Sequence, residues 1–169
     1  MMTVYDSALT MEETTLRDAM SRFATGVSVV TVGGEHTHGM TANAFTCVSL
    51  DPPLVLCCVA RKATMHAAIE GARRFAVSVM GGDQERTARY FADKRRPRGR
   101  AQFDVVDWQP GPHTGAPLLS GALAWLECEV AQWHEGGDHT IFLGRVLGCR
   151  RGPDSPALLF YGSDFHQIR

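Results

Sequence analysis

The sequence contains no apolar run long enough to span a bilayer, no surplus of either charge, no paired cysteine motif and no glycine fingerprint for a nucleotide. Each absence removes a class of function. A membrane-spanning helix needs about 20 consecutive apolar residues, and none are present. With 17 Lys and Arg against 18 Asp and Glu, the net charge of -1 offers no global attraction to nucleic acid or to an anionic membrane. Neither GxGxxG nor a phosphate loop ending in GKS or GKT occurs, which argues against a doubly wound nicotinamide-binding domain. The opening MMTVYDSALTMEE lacks a basic region followed by an apolar run, so no signal peptide is expected and the cytoplasm is the expected location. The five cysteines, Cys47, Cys57, Cys58, Cys128 and Cys149, are odd in number and form no CxxC pair. They read as reduced core residues, and no local spacing supplies a zinc site, so no metal is expected.

What remains is an ordinary composition, 44% hydrophobic and 21% charged over 169 residues. It suits one domain, 1–169, with 1–11 as a flexible tail. The organising stretch is GMTANAFTCVSLDPPLVLCCVA, Gly39 to Ala60. Pro52 and Pro53 force an extended approach to Leu54–Ala60, which has the length and branching of a buried strand with Cys57 and Cys58 on opposite faces. Gly39, Ala42, Asn43 and Ala44 are too short to cover their own backbone, leaving amides and carbonyls available to a flat polar ligand.

Along the chain, Thr10 and Glu13 form a capping box for a first helix that ends near Gly26, and its stripe of Leu16, Ala19, Met20 and Phe23 is expected to pack on the sheet. Val27–Val32 and Met40–Ala42 read as neighbouring strands around Gly33-Gly34, with His36 and His38 as surface histidines. Thr64 is expected to cap a helix that buries Met65, Ala68 and Ile69 and ends at Gly71. Its start beside Arg61 and Lys62 suits a phosphate, or is an ordinary capped surface helix. Phe75–Met80 is a strand. Gly81-Gly82-Asp83 then turns and caps residues 84–92, where Ala88, Phe91 and Ala92 form an apolar face. The run KRRPRGR at 94–100 reads as a solvated loop, with a cover for a dinucleotide pyrophosphate or a docking patch as alternatives. Phe103–Trp108 is a short strand candidate, and Gln109–Gly121 reads as a loop. Leu123–Trp133 is a long alternating strand. Glu127 and Glu129 share one of its faces, without the apolar pocket or matching acid that a hydrolase pair needs. His139 opens the next strand, Thr140–Cys149, as a general acid, a positioning group or a turn residue. Ala157–Tyr161 is the last strand, with Tyr161 and Phe165 assigned to packing. About six short strands with two or three helices favour a mainly β protein, a closed antiparallel barrel.

GMTANAFTCVSLDPPLVLCCVARKATMHAAI resembles the signature of the short flavin reductases, the NAD(P)H:flavin oxidoreductase components of two-component monooxygenases. SRFATGVSVVT, FAVSVMGGDQERTARYFA and GDHTIFLGRV continue the likeness in order, so that it spans most of the chain. The resemblance implies a split β-barrel of the FMN-binding type with a few short helices, a homodimer, and hydride transfer from NADH or NADPH to FAD or FMN, with NADH and FAD preferred. Reduced flavin would pass to a separate monooxygenase. Residues Thr41, Ala42, Asn43, Ala44, Thr46, Cys47, Val48 and Ser49 would hold the ring and ribityl chain. Arg61, Lys62 and Thr64 would hold phosphate, and His139 would orient the nicotinamide as the catalytic residue. Cys47 departs from the serine more common in that family, which leaves its backbone amide as the contact there. A flavin-storage protein without catalysis, or an oxidoreductase that keeps its flavin tightly bound, is the competing reading.

Overall fold

The most branched runs of the sequence form strands, and short side chains mark where the chain must turn between them. The computed structural model describes residues 13–168, with side-chain surroundings from residue 16 onward. In order, the elements are α1 (Glu13–Ser21), β1 (Thr25–Gly26), β2 (Ser28–Val32), β3 (His38–Ala42), β4 (Phe45–Leu50), β5 (Pro53–Ala60), α2 (Thr64–Ala72) and β6 (Arg74–Val79). They continue as α3 (Glu85–Ala92), β7 (Trp108–Pro110), β8 (Pro117–Leu119), β9 (Ala124–Gly136), β10 (His139–Arg151), β11 (Leu158–Tyr161) and β12 (Asp164–Gln167). Seven strands make one antiparallel sheet in the order β3-β2-β6-β9-β10-β5-β4.

That order constrains the shape. β3 and β4 lie at opposite edges, yet only Asn43 and Ala44 separate them in sequence. Six strand spacings in a flat sheet cover about 29 Å, whereas the step from Ala42 to Phe45 reaches about 11 Å at most. The sheet therefore curls until its edges approach each other at Asn43 and Ala44. One core fills the curl and contains Val30, Val32, Val55, Cys57, Met65, Ile69, Phe75 and Phe142. A second, with Val29, Met80, Phe91, Phe103, Leu119 and Trp125, lies on the opposite face of β2, β6 and β9. Covered on both sides, β2 is buried throughout, and this is why SVVTV shows no alternation of buried and exposed residues. Burial also pushes the Cys57 and Cys128 thiols up to about 12, as expected of inert core cysteines.

Several sequence expectations need correction. The Thr10 half of the capping box and the tail at 1–11 lie outside the described residues. The first helix ends at Ser21, short of Gly26, and Leu16, Met20 and Phe23 are 47%, 55% and 67% exposed rather than packed on the sheet. Ala63 occupies the N-cap of α2 in place of Thr64, and Arg73 ends that helix in the left-handed conformation at φ 56°. The Gln84 side chain, not Asp83, accepts the Gly81 amide at 3.0 Å, and Ala92 is exposed. Phe103 closes a 3-10 turn over Gly99–Phe103, where its ring is buried against Phe91 and Trp108. The expected loop at 109–121 holds the β7–β8 hairpin. The β5 run is one-sided: Val55, Cys57 and Val59 are buried, while Leu54, Leu56 and Cys58 are half-buried.

The basic run is anchored as well. Arg96 donates to the Asp93 carbonyl at 2.6 Å, to the Gly39 carbonyl and to His38 Nε2 at 3.2 Å. His38 is thus a buried histidine, not a surface one. Burial first, then Arg96 and Arg98, lower its pKa to about 4. Unfolding frees the imidazole to take a proton below its ordinary pKa of about 6.5. Stability is therefore expected to fall as pH drops from about 6.5 to about 4, by on the order of 2 kcal/mol after solvent screening. Urea midpoints measured across that window should show the decline, and His38→Gln should flatten it. An unchanged slope in the variant would remove His38 as the cause.

Candidate functional site

Strand register places the groups predicted from sequence on one face. Thr46 pairs with Leu56 on β5, Cys58 with Ile141 on β10, and Ala60 with His139. Since strand side chains alternate, Thr46, Leu56, Cys58, Ala60, His139 and Ile141 all point away from the core that fills the curl. Thr46 and His139 lie two strands and four residues apart, about 16 Å.

At one end of this face is an open groove of about 460 Å³, within the range of ligand sites. Ala42, Asn43, Ala44 and Thr46 form one wall with Leu56 and Cys58, and Met20, Phe23, Thr25 and Gly26 form the other. The groove fits a flat polar ring: Ala42, Asn43 and Ala44 line it with short side chains, and β4 is an edge strand with one side of its ladder unpaired among the described residues. Thr25 Oγ1 in the groove wall is buried without a hydrogen-bond partner, a polar atom whose burial is costly unless something satisfies it. Four residues of the expected ring-binding segment lie elsewhere. Thr41 donates its hydroxyl to the Ala88 carbonyl at 2.6 Å, tying β3 to α3. Cys47, Val48 and Ser49 lie further along β4, around a register shift and outside the groove lining.

At the other end, Arg61, Lys62 and Thr64 are exposed where β5 passes into α2. The first-turn amides of α2 and two cations thereby share one site, as phosphate requires. The Arg61 amide donates to the Asp138 carbonyl at 3.0 Å, fastening this corner to the β9–β10 turn. The Arg61 guanidinium is 3.5 Å from Glu135. His139 Nδ1 lies 2.7 Å from Asp138 Oδ1, and this bond first, with the charge of His139, holds the Asp138 carboxyl below the usual range. An ionised carboxylate only accepts, so Nδ1 carries the proton and Nε2 is left for a ligand.

Sequence reading missed four contributors. Met20 and Phe23 were assigned to packing, although they line the groove, because helical spacing alone does not say what a stripe faces. His66 Nε2 meets Thr140 Oγ1 at 2.8 Å and its Nδ1 lies 3.5 Å from Glu70, which fixes the first turn of α2 against the strand that carries His139. Glu135, to which the sequence alone assigns no role, pairs with Arg61. The Glu127–Glu129 pair has other employment: buried Glu127 accepts from the amides of His113 and Thr114 at 3.0 and 2.8 Å, and Glu129 pairs with Arg145.

A family model described as a flavin reductase like domain matches residues 20–169. The chain is 53% identical over 153 residues to an NADH-dependent FAD reductase of Streptomyces globisporus, covering 90% of this chain and 84% of that protein. It is 34% identical to a flavin-dependent monooxygenase reductase subunit, HsaB, of Mycobacterium tuberculosis, covering 91% and 81%. Among solved structures it matches BorF, the flavin reductase component of a bacterial two-component tryptophan halogenase. There the TM-score is 0.90 and the identity 47%, over 93% of this chain and 98% of that one.

Proposed function

The chain belongs to the flavin reductase family, and on that footing we propose that it is an NADH-dependent reductase of free flavin, FAD by preference, that supplies a separate monooxygenase. The observation that carries this reading is the single sheet face that joins a groove for a flat ring to a cationic helix start and to His139. When bound, flavin supplies the acceptor atom, N5, for the hydride released by nicotinamide C4. The protein's part is to hold and orient. Ala42, Asn43, Ala44 and Thr46 present short side chains and the β4 edge to the ring, and Thr25 offers a hydroxyl from the opposite wall. Cys47, Val48 and Ser49 continue the same edge strand away from Arg61, with Ser49 opposite Leu54, and are left out of this assignment. Arg61, Lys62 and Thr64, with the α2 amides, take the phosphate. His139, fixed by Asp138, presents Nε2 to the incoming nicotinamide.

The preference for FAD and NADH is supported by the Streptomyces relative, and the monooxygenase partner by the HsaB-type relative. A split barrel is supported by the curl that the two-residue connection imposes. One domain, 1–169, working as a homodimer accounts for the exposed Leu16, Met20 and Phe23 beside the groove, which a second copy would cover. A cytoplasmic location is supported by the proposed use of NADH. Among the described residues no helix is long and apolar enough to cross a membrane.

Anaerobic stopped-flow absorbance with excess FAD or FMN and either nicotinamide tests the reading. Repeated bleaching of flavin in molar excess over protein is the expected result, fastest with FAD and NADH. Binding followed by a single turnover would instead identify a protein that keeps its flavin, and binding without bleaching would identify a carrier.

A further inference from the structure

Of the cations assigned to the flavin phosphate, Arg61 is already partnered by a carboxylate. Glu135, near the tip of the β9–β10 hairpin, lies 3.5 Å from the Arg61 guanidinium. The neighbouring Asp138 bonds His139, and its carbonyl receives the Arg61 amide, so the hairpin tip is stitched to the phosphate corner through both backbone and side chain. Lys62 also acts on Asp138 at longer range. The charge of Arg61 is therefore matched by Glu135 before any ligand arrives. A phosphate that reaches Arg61 must displace Glu135 or share the guanidinium with it.

We propose that Glu135 competes with flavin phosphate for Arg61 and so sets how readily flavin leaves. This rests on the phosphate role of Arg61 given above. The chemistry suits a flavin that serves as substrate: a guanidinium with no competing carboxylate would hold a phosphate dianion more tightly and slow its departure. The Glu135 side chain is 88% exposed and that of Arg61 43%, so the pair is a solvated one of modest strength. A modest effect is what reversible binding requires. Relieving such a pair corresponds to a change in affinity of about two- to fivefold.

The test is fluorescence titration of the full chain with riboflavin, FMN and FAD, for the wild type, Glu135→Gln, Arg61→Gln and the double variant. Both positions are exposed, so all four proteins should fold. Expected are FMN and FAD binding about two- to fivefold tighter in Glu135→Gln with riboflavin unchanged, and loss of that gain in the Arg61→Gln background. In steady state the Michaelis constant for flavin should fall by the same factor, with that for NADH unmoved. Equal tightening of riboflavin and FMN would overturn the proposal, because the effect would then not pass through phosphate. So would an unchanged FMN affinity in Glu135→Gln when Arg61→Gln does weaken FMN relative to riboflavin. Were Arg61→Gln to leave that ratio unchanged, the phosphate assignment itself would fall, and this proposal with it. Multiple turnover with NADH, measured on the same preparations, reports on the reductase reading independently of both.

Discussion

His139→Ala is expected to lower kcat/KM for NADH by about 100-fold, the scale of loss when a reactant is misplaced by about 1 Å, while the dissociation constant for FAD stays within about twofold of wild type. His139 is the first residue of β10, held between Ala60 of β5 and Gly136 of β9. Asp138 fixes its ring through Nδ1 at 2.7 Å. The backbone is set by two strand partners and the ring by a carboxylate, so Nε2 has a defined position at the edge of the shared face. Hydride transfer depends on that kind of placement more than on a nucleophile. Asp138→Asn should preserve the position and lose part of the orientation, giving a smaller drop in the same parameter. Measuring FAD affinity and NADH kinetics on the same variants separates the roles. A rise in the FAD dissociation constant that matches the loss in kcat/KM would assign His139 to flavin instead of nicotinamide.

Gly144→Val is expected to destabilise the fold by on the order of 3 kcal/mol, the upper part of the range for overpacking a core. A Cβ at Gly144 would lie 2.6 Å from Phe75 Cζ and 3.1 Å from Cys128 Cβ. Phe75 and Cys128 are fully buried, and β10 shifts register against β9 between Leu143 and Gly144. The glycine thus lets the Phe75 ring fill the curl at the point where the sheet bends. In a domain of this size that cost corresponds to a fall in Tm of roughly 6–12 °C. Thermal and urea unfolding should show the loss, with Gly144→Ala intermediate. A Tm within about 2 °C of wild type would mean that the Phe75 ring has room to move aside.

Strands β2, β3, β5, β6, β9, β10 and β11 and the family signature were legible because each is written in consecutive residues. Val27–Val32 and Leu54–Ala60 carry strand propensity locally, and Arg61, Lys62 and Thr64 adjoin a helix start that any amphipathic reading finds. The 3-10 turn at Gly99–Phe103 and the β7–β8 hairpin were not legible. Phe103 is held by Phe91 and Trp108 rather than by its neighbours in sequence, and tertiary contacts override weak local preference in short segments.

By itself, then, the sequence determined a mainly antiparallel β chain, its family, and which residue types are candidates for ring, phosphate and nicotinamide. Only the tertiary structure decided which of them meet. Asn43 and Ala44 are two ordinary residues until strand order places β3 and β4 at opposite edges and obliges the sheet to curl. His38 becomes a buried neutral imidazole because the fold takes it out of water and brings Arg96 to it across 58 positions. Glu135 becomes a partner of Arg61 because a hairpin brings together residues 74 apart. Propensity and periodicity act over one or two turns of chain, whereas an ion pair or a packed ring depends on distance in space, which only the completed fold sets.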